Sequence, residues 1–105
     1  MILREVSLTS RHDVISAITK AKITNSVFGE TVEDPMDFKA MEKTAFLYLQ
    51  ECVWENVDKL HLYITGLTPA TTSFLKAYLD ASCPIRLSLF DFNRDSSRYE
   101  EQKIV

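Results

Sequence analysis

Residues 60–92 constrain the fold more than any other stretch. Leu60, Leu62 and Ile64 alternate as in a strand, and Gly66 and Pro69 then break the chain. Phe74, Leu75, Tyr78 and Leu79 recur at helical spacing from Pro69 to Ala81. Pro84 closes that helix, and Ile85-Arg86-Leu87-Ser88-Leu89-Phe90-Asp91-Phe92 is a second apolar strand. Two strands joined through a helix of about a dozen residues require a parallel, right-handed crossover. The centre of the sheet is therefore parallel, and its strands finish along one common edge.

The flanking sequence extends this unit. Ile2, Leu3, Val6 and Leu8 give a first strand over residues 2–8, and Thr9-Ser10 offer caps for a helix from Arg11 to Lys22 marked by Val14, Ile15, Ile18 and Ala21. Residues 24–33 lack a helical period and read as a long loop or short hairpin. Asp34-Pro35 suits a helix start, with Asp as cap and Pro in the first turn. From there Phe38, Met41, Ala45, Leu49, Cys52 and Val53 stripe the longest helix down to about Asn56. Asn93-Arg94-Asp95-Ser96-Ser97 is a polar turn, after which Arg98 to Val105 returns as a charged edge strand. The expected fold is α/β: a small, mostly parallel, Rossmann-like sheet with a C-terminal antiparallel hairpin strand and three helices, in one domain spanning residues 1–105.

Composition excludes several functions. The chain has 105 residues, 46% hydrophobic and 26% charged, with a formal net charge of −3, which suits a globular domain and disfavours duplex DNA as a partner. No apolar run approaches the ~20 residues of a membrane span, and Met1-Ile2-Leu3-Arg4-Glu5 lacks the layout of a secretory signal, so cytoplasmic residence is expected. Cys52 and Cys83 show no metal-binding spacing and read as reduced structural thiols. Neither metal nor cofactor is expected.

The best candidate site is Thr65-Gly66-Leu67-Thr68-Pro69. Gly66 permits positive φ, Thr68 caps the following helix, and its first N–H groups point beyond the sheet edge, a setting suited to an anion. Asp91, at the carboxyl end of the neighbouring parallel strand, is placed close by. Asp91 also opens a run resembling a calcium loop, but Ser96 and Gln102 stand where that loop needs Gly and Glu, so the run reads as a polar hairpin turn. His12 and His61, the only imidazoles, have no Ser or Cys in a nucleophile setting and read as satisfied structural or surface groups. Glu30, Glu33, Asp34 and Asp37 read as a solvated helix start matched to the helix dipole. Phe46, Tyr48 and Trp54 widen the apolar arc of the long helix; they serve either as core or as a surface for a second subunit.

The strand-Thr-Gly-x-Thr-helix element over Leu60 to about Leu79 resembles the corresponding element of CRISPR-associated Rossmann fold (CARF) domains. That resemblance implies a cyclic oligonucleotide ligand, with Thr65, Gly66 and Thr68 near a phosphate. In composition the chain also resembles small phage or mobile-element proteins. The leading expectation is a small, non-enzymatic, cytoplasmic binding protein, phage-borne in this reading, whose ligand is a nucleotide-like anion or a protein partner and which assembles as a homo-oligomer. The alternatives are a small nucleotide-processing enzyme using the Gly66 loop and a dimeric protein-interaction module.

Overall fold

A computed structural model describes residues 2–66 and 68–105. The chain runs β1 (Leu3–Ser7), α1 (Phe38–Trp54), β2 (Lys59–Tyr63), α2 (Thr68–Asp80), β3 (Arg86–Asn93) and β4 (Arg98–Lys103). The sheet order is β1-β2-β3-β4, parallel across the first two pairs and antiparallel across the last. Both crossovers step in the same direction along the sheet. Right-handed connections therefore put α1 and α2 on the same face. Val6, Leu60, Leu62, Leu87 and Leu89 project toward the helices and pack with Ala45, Leu49, Cys52, Phe74 and Ala77 as the main core.

Strand register defines the opposite face row by row. Glu5, His61, Ser88 and Lys103 lie side by side, followed by Ser7, Tyr63, Phe90 and Glu101, then by Phe92 and Tyr99. On this face residues 14–23 pack Val14, Ala17 and Ile23 on Tyr63, Phe90 and Tyr99 and bond Ser16 to Glu5 in the row below, whereas Val27 and Phe28 belong with the helix-side core. The sheet is thus not wound on both faces as expected of a Rossmann-like domain, although the α/β class, the parallel centre and the antiparallel hairpin strand are present.

Two described helices replace the three expected. Residues 11–22 form an irregular hairpin closed by the Ile15–Lys22 bridge, with a single turn over Ala17–Thr19. Its own hydroxyls explain why. Ser16 Oγ accepts from the N–H groups of Ile18 and Thr19 at 3.1 and 3.0 Å, Thr19 Oγ1 accepts from Ala21, and Lys20 takes φ of +65°. Such local bonds offer the backbone an alternative to the helical ladder. Ile15 and Ile18, which carried the helical spacing, are exposed.

The long helix also begins later than Asp34-Pro35 suggests. Asp34 Oδ1 accepts from Met36 N at 3.0 Å in a turn of its own, and Asp37 caps the helix by accepting from Ala40 N at 3.2 Å. At the other end Asn56 takes φ of +57°, while Val57 N donates to Cys52 O and Asn56 N to Val53 O. This is a Schellman stop with asparagine in the left-handed position. Met41, Ala45, Leu49 and Cys52 are buried as expected, but Phe38 and Val53, assigned to the same stripe, are exposed.

At the C terminus β4 ends at Lys103. The N–H groups of Ile104 and Val105 still donate to Leu87 O, so the tail follows the sheet edge beyond the strand proper.

Candidate functional site

The Gly66 turn lies where β2 leaves the sheet for α2. Gly66 is exposed, with φ of +88°, and open space surrounds the position a Cβ would occupy, so backbone conformation alone demands glycine. Thr65 is already engaged: its Oγ1 accepts from Thr9 N at 3.0 Å and lies 3.1 Å from Thr9 Oγ1. These bonds tie the ends of β1 and β2 together. Leu67 lies outside the described residues. Thr68 is the first residue of α2, one position earlier than the Pro69 start expected, and its carbonyl accepts from Thr72 Oγ1 at 3.1 Å.

Asp91 is exposed on β3 and directly opposite Glu100 on β4. Ile64 N donates to Phe90 O, which continues the β2–β3 register by one residue and sets Ile64 beside Asp91. The sheet therefore brings Asp91 near the base of the Gly66 turn, as the topology of two parallel neighbours requires. It brings a second carboxylate with it. Open α/β sheets bind ligands in the crevice formed where strand order reverses and successive loops part to opposite faces. Here β1, β2 and β3 follow in order, and both strand-to-helix loops turn to the same face.

The run after Asp91 is a hairpin turn: Asn93 Oδ1 accepts from Asp95 N at 2.9 Å, and Ser97 adopts φ of +55°. Among the described residues no group of three or more His, Cys, Asp or Glu side chains is arranged to hold a metal. No described helix is long and apolar enough to cross a membrane.

A polar cluster that sequence reading missed occupies the helix-free face. Glu5 accepts from Ser16 Oγ at 2.6 and 2.8 Å and from Tyr63 Oη at 2.9 Å, fixing the hairpin onto the sheet. Ser88 Oγ donates to Glu101 at 2.7 Å and holds that carboxyl below the usual range. Between them lies His61, only 4% exposed, with its ring 4.7 Å from Phe90. Both ring nitrogens are buried without a hydrogen-bond partner, so this histidine is not the satisfied structural group expected. Burial lowers its pKa, against the opposing pull of Glu101. A strand register places Glu5, His61 and Ser88 in one row, but period-two reading alone does not reveal which strands are neighbours.

The outer surface of α1 is the third feature. Trp54 is 85% exposed, Leu47 54% and Val53 46%. Phe46 and Tyr48 are half-buried and pack against the core, so the alternatives of core and surface divide within one helix. Beside Trp54 an open groove of about 570 Å³ runs between the C-terminal ends of the two helices, lined by Phe46, Leu49, Val53, Cys83 and Pro84. Trp54 itself borders the groove, whose lining also includes Gln50 and Asn56. Cys52 is buried beside Arg4, its thiol pKa raised by desolvation, and both it and Cys83 are free thiols.

Fold and surface together define a two-layer α/β domain with a four-stranded mixed sheet, one face under two helices and the other half-covered by a hairpin. Comparison with protein-family models, with curated proteins and with solved structures finds no match.

Proposed function

We propose that this chain is a non-enzymatic binding protein that acts by protein contact through the outer face of α1. The carrying observation is Trp54, 85% exposed at the end of a helix that also exposes Leu47 and Val53. Burying such side chains against a partner gains roughly 25 cal/mol per Å² of apolar surface removed from water, and tryptophan is enriched among residues that dominate interfaces. The helix supplies a rigid platform, because its opposite side is locked into the core through Met41, Ala45, Leu49 and Cys52.

A photo-crosslinking amino acid placed at position 54 in the native cell tests this reading, with the same probe at exposed Asp95 as the control. Covalent adducts from position 54 and none from position 95 are expected. Absence of adducts from position 54 overturns the proposal.

The nucleotide-like anion remains a second reading on one observation, the exposed positive-φ turn at Gly66 leading into α2. The engagement of Thr65 by Thr9 and the facing carboxylates of Asp91 and Glu100 rank it below protein contact. Mono-, di- and cyclic nucleotides, screened by thermal shift to millimolar concentration, test it. Stabilisation that Thr68→Ala weakens supports a site at the turn, and no stabilisation by any of them removes it.

A further inference from the structure

Resting on the docking reading above, we infer that the partner of α1 is a second copy of this chain, with the two α1 helices packed antiparallel about a two-fold axis at Leu47. Glu42 and Glu55 are paired within the chain by Lys76 and Arg4, which leaves Lys39 and Lys43 in the N-terminal half of α1 and Glu51 near its C-terminal end as the charges outside the described ion pairs. Apart from the Asp37 cap, that arrangement opposes the helix dipole, which favours acids at the start and bases at the end. The first turn of α1 has no acidic residue and the last turn no basic one. An antiparallel copy supplies the missing complement, setting the acidic end of each helix beside the basic half of the other.

The exposed stripe sets the register. Ala40, Lys43, Leu47, Glu51 and Trp54 are all exposed and recur at spacings of three and four, which places them on one side of the helix. They are also symmetric about Leu47. With a rise of about 1.5 Å per residue, an axis at Leu47 sets Lys43 of one copy at the height of Glu51 of the other, and Trp54 at the height of Ala40. Leu47 meets its own counterpart, the large indole covers the small methyl, and the long charged side chains reach across the seam. Neither Lys43 nor Glu51 takes part in an ion pair among the described residues, whereas Glu42 and Glu55 are held by Lys76 and Arg4. A two-fold contact requires such self-complementarity of one patch.

Sedimentation equilibrium on four samples tests the inference: wild type, Lys43→Glu, Glu51→Lys, and an equimolar mixture of the two variants. Wild type is expected to dimerise. Each variant sets like charges at both ends of the seam and is expected to dimerise about tenfold more weakly. The mixture restores opposite charges at both ends and is expected to recover wild-type association as a heterodimer. Circular dichroism confirms that each exposed-site variant remains folded. A monomeric wild type at all concentrations up to millimolar overturns the second copy as partner, and a dimer whose variants are not rescued by mixing overturns the register. The docking reading fails separately, since adducts from position 54 with a mass other than twice the chain would preserve it while excluding self-association.

Discussion

Replacing His61 with leucine is expected to stabilise this protein, although the residue lies in the centre of the sheet. The wild-type ring is 4% exposed and both of its nitrogens are unpartnered. Leaving a polar atom buried without a hydrogen bond costs about 1–3 kcal/mol. Against removal of that cost stands the loss of the ring contact with Phe90, centroids 4.7 Å apart, worth about 0.5–1.5 kcal/mol. The net expectation is a gain of about 1 kcal/mol at neutral pH, or roughly 4–8 °C in Tm for a domain of this size. The pH dependence provides an independent check. Burial lowers the His61 pKa in the folded state, so the unfolded chain takes up the proton first as pH falls. The stability associated with the neutral ring is fully present above the unfolded value of about 6.5, and is lost as pH falls from there toward the lowered folded value. Glu101, whose pKa is also lowered, affects stability only in the more acidic range where carboxylates titrate. Urea denaturation at about pH 7.5 and about pH 5.5 therefore isolates the histidine window. Wild type should lose stability between those two conditions and His61→Leu should lose less. A variant that is less stable at the higher pH, or that retains the wild-type pH slope, refutes the reasoning.

Three further outcomes follow from the same geometry. Thr65→Val removes the bonds to Thr9 N and Oγ1 that tie β1 to β2, and is expected to cost about 1–3 kcal/mol in chemical denaturation. Ser16→Ala deprives Glu5 of a donor and the hairpin of the acceptor for Ile18 and Thr19; a loss of about 1–3 kcal/mol is expected, with faster amide exchange confined to residues 14–23. Deleting residues 98–105 uncovers the β3 edge from Ser88 to Asn93 and is expected to lower both solubility and Tm; a soluble truncation with unchanged Tm would show that the tail contributes nothing to the sheet.

The α/β class, the parallel β2–α2–β3 unit and the returning edge strand were legible in the sequence because each rests on local periodicity and punctuation. Leu60, Leu62, Pro69, Pro84 and the polar run from Asn93 carry that information within a few residues of where it acts. Gly66 was legible for the same reason, since one backbone conformation demands it. The hairpin over residues 11–22 was not, because Ser16 and Thr19 compete with the helical ladder and Glu5, distant in sequence, anchors the result. The role of Thr65 depended on Thr9, 56 residues away, and the isolation of His61 on a row assembled from separate strands. Spacing could show that α1 has more apolar residues than one face needs, but the sheet and α2 decided that Phe46 and Tyr48 turn inward while Leu47 and Trp54 face solvent. Local preference is written in neighbouring residues, whereas burial and hydrogen-bond satisfaction are properties of surfaces that exist only once distant segments have packed together.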